Sequence, residues 1–167
     1  MPQILDEIEE CVPALRRYAR ALTHNPDLAD DLVQDCLERA IRKRALWRPS
    51  GTVRSWMFRI LLNIYRNDLR RRRRAPHLPL DTLAADPPSL DTQPGRLALA
   101  ETARAMQSLP MEQREVLLLV AVEEMSYSEA AEVLGIPLGT LMSRLGRARA
   151  TLRRLTEAGA PKLRSVR

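Results

Sequence analysis

The sequence predicts an all-α protein made of two small helical domains joined by a flexible, proline-rich linker. Three observations carry that prediction. Leu, Ala, Arg and Glu, all good helix formers, dominate a 167-residue chain in which aromatic residues make up only 4%. Apolar residues recur at spacings of three and four along most of the length. Between residues 75 and 95 that period stops, in a stretch that holds Pro76, Pro79, Pro87, Pro88 and Pro94 together with Asp81, Asp86 and Asp91.

The first helix is expected to run to about Thr23, with Ile4, Leu5, Ile8, Val12, Leu15, Ala19 and Leu22 on one face. Asn25-Pro26-Asp27 then reads as an N-cap, a first-turn proline and an acid matched to the helix dipole. The second helix that follows has a buried stripe of Leu28, Leu32, Cys36 and Ile41, and its other face carries Asp30, Asp31, Gln34, Asp35 and Glu38. Pro49-Ser50-Gly51-Thr52 interrupts the pattern, and Val53, Trp56, Met57, Ile60, Leu61, Ile64 and Leu69 restart it in a third helix. Arg59, Asn63, Arg66 and Arg70 fall on the opposite face with Asn67 beside them, and the helix runs into the unbroken series Arg70 to Arg74. Guanidinium and amide groups on that face suit phosphates or bases. Trp56 lies on the apolar stripe, so core packing is favoured for it over base stacking.

The 75–95 stretch contains no Lys or Arg. Fully extended at ~3.3 Å per residue it would reach roughly 70 Å, comparable to two turns of DNA, so the halves on either side are expected to grip separate sites on one duplex. Beyond it, Leu97, Ala100, Ala103 and Met106 mark one helix, and Val116, Leu117, Val120 and Ala121 another after the Leu109-Pro110 break.

Ser126-Tyr127-Ser128-Glu129 fits a capping box, with the Ser126 hydroxyl capping a short helix and Glu129 reaching back to the Ser126 amide. Gly135 is placed to end that helix in the left-handed conformation, Ile136 to plug the turn, and Pro137 to open a further helix. This is the grammar of a helix-turn-helix. In the last helix Leu138, Leu141, Met142, Leu145, Ala148 and Leu152 form an apolar stripe, leaving Thr140, Ser143, Arg144, Arg147 and Thr151 free. Arg donates bidentately to guanine, and Ser and Thr bond bases or phosphates, so this face suits a DNA major groove. Gly139 near the helix start lets a DNA backbone approach closely. The expected organisation is a first domain over 1–74, the linker over 75–95, a helix-turn-helix domain over 96–156 and a basic tail over 157–167.

Lys plus Arg number 27 against 21 Asp plus Glu, giving a formal charge of +6, which suits a polyanionic partner more than a small-molecule substrate. An enzyme is disfavoured: His24 and His77 are placed in loops, no glycine-rich phosphate loop is present, and no nucleophile stands beside a base. No catalytic residue and no cofactor are assigned. Cys11 and Cys36 lack metal-ligand spacing and read as buried small hydrophobes, so no metal is expected. No apolar run approaches the roughly 20 residues needed to span a bilayer, and the acidic start MPQILDEIEE is unlike a signal peptide, so membrane insertion is not expected and a cytoplasmic location is.

Several ordered segments carry a family resemblance. Asp30-Asp31-Leu32-Val33-Gln34-Asp35 resembles a DLVQE-type segment, Trp56 to Asn63 a WLxRIAxN stretch, and Leu109-Pro110 with Gln113 to Leu117 an LPxxxREVL segment. Tyr127 to Ala131 and Gly139 to Leu145 resemble SYxEIA and GTVxSRL segments. Together they make the chain similar, from Leu15 to Leu155, to the extracytoplasmic-function (ECF) sigma factors. The resemblance implies a region-2 domain followed by a region-4 domain, in a factor that binds core RNA polymerase and directs initiation at particular promoters. It implies that Asp30, Asp31, Gln34, Asp35 and Glu38 face the coiled coil of the polymerase β′ subunit, with the β flap as a further contact. It implies that Arg59, Asn63, Arg66, Asn67 and Arg70, with the Pro49 to Ser55 loop, capture the melted -10 strand, and that Gly139, Thr140, Ser143, Arg144 and Arg147 read the -35 duplex. An anti-sigma factor is an expected partner. Glu124 stands where the family usually turns on a glycine. A helix-turn-helix repressor would leave the acidic helix and the arginine run unused, and a sigma-like decoy for an anti-sigma protein would have no need of a DNA surface.

Overall fold

The computed structural model describes residues 2–48, 50–75 and 94–159, and the described residues form helices and short connections. Helices α1 (Pro2–Thr23), α2 (Pro26–Lys43) and α3 (Val53–Arg74) pack on one another as the first half. In the second half α4 (Pro94–Ser108) lies against α7 (Leu138–Gly159), which also packs on α5 (Met111–Leu117) and α6 (Tyr127–Leu134). A 3-10 turn, Arg44–Leu46, follows α2, and a single π-helical segment, Leu118–Val122, continues α5.

The local signals in the sequence place the helix ends. The Asn25 side chain accepts from the Asp27 and Leu28 amides, and Pro26 opens α2. Thr52 caps α3 through the Ser55 amide, and Ser126 caps α6 through the Glu129 amide. Gly135 ends α6 at φ 65, ψ 37, the left-handed conformation that a Cβ penalises. Pro137 stands one residue before α7, where its carbonyl accepts from the Leu141 amide. The expected linker gives up Pro94 and Gly95 to α4, and α7 takes Glu157 to Gly159 from the expected tail. The rest of both segments, 76–93 and 160–167, lies outside the described residues, as does Pro49.

Several positions assigned to the apolar stripes face outward instead. Leu5, Ile41, Leu97, Leu138 and Met142 are exposed. On α1 and α2 other residues are buried that the stripes did not include: Cys11 and Tyr18 on α1, and Ala29, Val33 and Ala40 on α2. Helix α3 is buried over a wider arc than one stripe, because Phe58 and Leu62 are as enclosed as Met57 and Leu61. The reason is a second partner: α3 contacts both α1 and α2 on one side and α6 on another.

The two halves therefore touch. A single apolar cluster runs from Leu15, Tyr18 and Phe58 of the first half to Val116, Leu119 and Leu145 of the second. Tyr18 and Phe58 meet edge to face with ring centroids 5.2 Å apart, and the Tyr18 hydroxyl donates to the Glu115 carbonyl at 3.2 Å. Arg114 ties the same seam from the other direction, donating to the carbonyls of Leu22, Met106, Gln107 and Leu109.

Candidate nucleic-acid interface

The acidic face of α2 is as the sequence leads one to expect. Asp30, Asp31, Gln34, Asp35 and Glu38 are all exposed, while Leu32, Val33 and Cys36 between them are buried. Asp30 has one distant neighbour, Arg20 at 3.9 Å, which at such exposure contributes little.

The basic face of α3 is different. Asn63, Asn67 and Arg70 are exposed. Arg66, expected to point outward with them, instead makes a two-pronged pair with Glu115 of α5, Nε to Oε1 at 3.0 Å and Nη2 to Oε2 at 2.7 Å. Arg59 donates to the Glu132 carbonyl of α6 at 3.4 Å. The second half lies over this face and supplies acceptors that the sequence reading did not foresee.

Glu115 and Glu123 are the residues that reading missed. Both are almost wholly buried, at 1% and 2% exposure, with their carboxylates turned to the first half. Glu123 accepts from Arg17 of α1 through Nε at 3.0 Å and Nη2 at 2.8 Å. Arg54 at the start of α3 also donates to it, Nη2 reaching Oε2 at 3.0 Å and the Glu123 carbonyl at 2.7 Å, while its guanidinium rests 5.6 Å from the Phe58 ring centre. The Glu123 hydrogen bonds raise the Arg17 pKa above its ordinary value, and the Glu115 hydrogen bonds do the same for Arg66. The π-helical segment explains how one helix aims both acids. At 3.6 residues per turn, eight residues in a regular helix leave their side chains about 80° apart. The wide turn, in which the Glu123 amide donates to the Leu118 carbonyl five residues back, absorbs an extra residue and brings Glu123 round to the side of Glu115.

The capping box of α6 is half made. Ser126 caps the Glu129 amide, but the Glu129 carboxylate crosses to the other half, where it accepts from the Ser55 hydroxyl at 2.5 Å. The Thr52 hydroxyl, at the cap of α3, donates to the same carboxylate oxygen at 3.5 Å. Beside this contact a cleft of about 420 Å³ opens between the 46–52 loop, α3 and α6, with Trp47 and Trp56 on its apolar side and Arg48 and Arg59 at its rim. Trp56 is half-buried: it packs on the core with one edge and lines the cleft with another.

On α7 the open face differs by one step from the expected one. Gly139, Ser143 and Arg147 are exposed and Thr140 is half-buried. Arg144 is turned toward Glu112 of α5, 3.6 Å away, with its side chain 24% exposed. Leu138 and Met142 occupy the outer surface in its place. Cys11 and Cys36 are both buried, and burial raises both thiols, that of Cys36 to about 12, so neither is an activated nucleophile. Among the described residues no helix is long and apolar enough to cross a membrane, and no group of three His, Cys, Asp or Glu stands together as a metal site.

An acidic helix in one all-helical half and a helix-turn-helix in the other define a two-part DNA-binding transcription factor. Family models match each half: "Sigma2 domain of PhyR" over residues 8–62 and "Sigma-70, region 4" over residues 99–152. The ECF RNA polymerase sigma factor EcfG of Rhodopseudomonas palustris is 40% identical over 150 residues, which cover 88% of this chain and 81% of that one. The sigma factor CnrH of Cupriavidus metallidurans is 35% identical over 161 residues, covering 89% and 84%. Among solved structures, RpoE of Bartonella quintana, in complex with the anti-sigma factor NepR, superposes with a TM-score of 0.79 at 29% identity over 96% of this chain and 100% of that one. CnrH in complex with the cytosolic domain of CnrY gives 0.71 at 32% identity over 94% and 89%. The chain belongs to the ECF family of RNA polymerase sigma factors, which are transcription regulators.

Proposed function

We propose that this chain directs promoter-specific initiation through three separate surfaces: α2 for core polymerase, α3 for the melted -10 strand and α7 for the -35 duplex. The observation that carries the reading is the coexistence, in one chain, of an exposed acidic face on α2 and a capped helix-turn-helix whose second helix exposes Gly139, Ser143 and Arg147. Asp30, Asp31, Gln34, Asp35 and Glu38 meet the β′ coiled coil. Arg59, Asn63, Arg66, Asn67 and Arg70 follow the single strand, and the cleft between Trp47 and Trp56 has room for an extruded base. Residues 1–74 act as the first domain and 96–156 as the second, joined through 75–95.

The protein works in the cytoplasm with its polymerase, without catalysis of its own and without a cofactor. An anti-sigma factor regulates it, as the complexes of RpoE with NepR and of CnrH with CnrY suggest for relatives that share its arrangement. The test is run-off transcription on genomic fragments with purified core polymerase, with and without the protein. Transcripts that appear only in its presence are the expected result. Repression of transcripts already made by core with another factor would instead mark a helix-turn-helix repressor.

A further inference from the structure

We propose that Arg17, Arg54 and Arg66 form a phosphodiester-binding track, and that Glu115 and Glu123 occupy it as internal phosphate surrogates while the two halves are closed. All three cations come from the first half and both anions from the second. Arg17 and Arg66 each present the two-pronged guanidinium fork that fits a phosphate as well as a carboxylate. The carboxylates are sealed, at 0% and 1% side-chain exposure, whereas the arginines keep 53%, 37% and 24%. When the halves part, the cations are left on an open surface.

The spacing suits a strand. Arg54 and Arg66 are twelve residues apart on α3, about 18 Å along the helix axis and about 120° around it, so a strand that meets both crosses the helix obliquely. Arg59 lies between them and is likewise engaged in the closed form, by the Glu132 carbonyl. When the halves part, the carboxylates regain the water that burial took from them, and the arginines lose an anionic partner unless another takes its place. A phosphate that replaces the carboxylate keeps the guanidinium fork satisfied, so strand binding favours the open arrangement. Closure and strand binding thus compete for the same donors. The proposal rests on the sigma-factor reading above, in that the polyanion is DNA, and it adds Arg17 and Arg54 to the DNA-contacting set.

The experiment uses the full chain and, as probe, a labelled single-stranded oligodeoxynucleotide of mixed sequence. Fluorescence anisotropy at about 50 to 200 mM salt gives affinity and salt slope. Glu115→Gln with Glu123→Gln, which removes both charges and keeps the shape, is expected to bind about tenfold tighter with a salt slope steeper by about two or three. Adding Arg54→Ala and Arg66→Ala to that pair should abolish the gain. Wild-type affinity and slope in the double Gln variant, or a gain that survives loss of the arginines, overturns the proposal and leaves Glu115 and Glu123 as structural ion-pair partners only.

Should the Gln pair fail to fold, energy transfer in a chain with native glutamates decides. Dyes at Arg39→Cys and Arg153→Cys, both exposed positions on opposite halves, should separate when the same oligonucleotide is added. No change in transfer at saturating DNA overturns the track. Run-off transcription is scored apart from this, so an active sigma factor whose dyes do not separate sinks the track alone, and an inactive one sinks the sigma reading.

Discussion

Glu124 shows how much one backbone position can depend on side-chain identity. Its φ of 54° lies in the left-handed region, as does that of His24 at the turn between α1 and α2. An L residue with a Cβ is disfavoured there by about 1–2 kcal/mol, and glycine is not. Glu124→Gly should therefore stabilise the chain by about 1 kcal/mol, a rise of about 2–4 °C in Tm for a protein of this size. Glu124→Ala, which keeps the Cβ, should give no such rise, and calorimetry on both variants checks the difference. The position was marked in the sequence only through the family resemblance, in which Glu124 stands where a glycine is expected. Glu115 and Glu123 were not legible. Each sits beside an arginine or another acid on an amphipathic segment and reads locally as a solvated charge. Their partners are 49, 69 and 106 residues away, a distance no helical period reports.

At the scale of the element, caps and turns were read correctly where the bond is local, as at Asn25, Ser126 and Gly135. The helical period misplaced residues wherever a helix has two neighbours or one fewer than assumed. Phe58 and Leu62 of α3 are buried although they lie off the expected stripe, and Leu138 and Met142 of α7 are exposed although they lie on it. The rotation of α7 has a consequence for promoter readout. Arg147 is exposed and Arg144 is drawn toward Glu112, so the two arginines are not equivalent. Arg147→Ala should relax preference at one -35 base pair at a cost of roughly 1–3 kcal/mol, whereas Arg154→Ala near the helix end should weaken all sequences alike and reduce the salt slope by about one. Arg144→Ala should alter preference less than Arg147→Ala. A promoter-library selection on the three variants ranks them, and an equal or larger change for Arg144 would show that its pair with Glu112 breaks on DNA.

At the scale of the molecule, two all-helical halves were legible in the sequence, but their mutual contact was not; most of the expected 75–95 linker lies outside the described residues. Charge complementarity between arginines of one half and buried acids of the other is a property of the assembled chain. The α2 face lies apart from that contact, and its acids are free of it. Reversing Asp31 and replacing Gln34 should thus weaken association with core polymerase without changing DNA binding by the full chain. Core binding by gel filtration and DNA binding by anisotropy separate the two, and a parallel loss of both would indicate misfolding.

The buried glutamates also bear on how such a factor searches a genome. A chain of net charge +6 is drawn to any duplex, and non-promoter sites outnumber promoters by many orders of magnitude. With Arg17, Arg54 and Arg66 occupied internally, three cations are withheld from that indiscriminate attraction while the outer face of α7 stays available for sampling. On the proposed exchange, dwell time on the wrong sequence is expected to be shortened, with the full cationic surface spent only where a strand has already come apart to receive it.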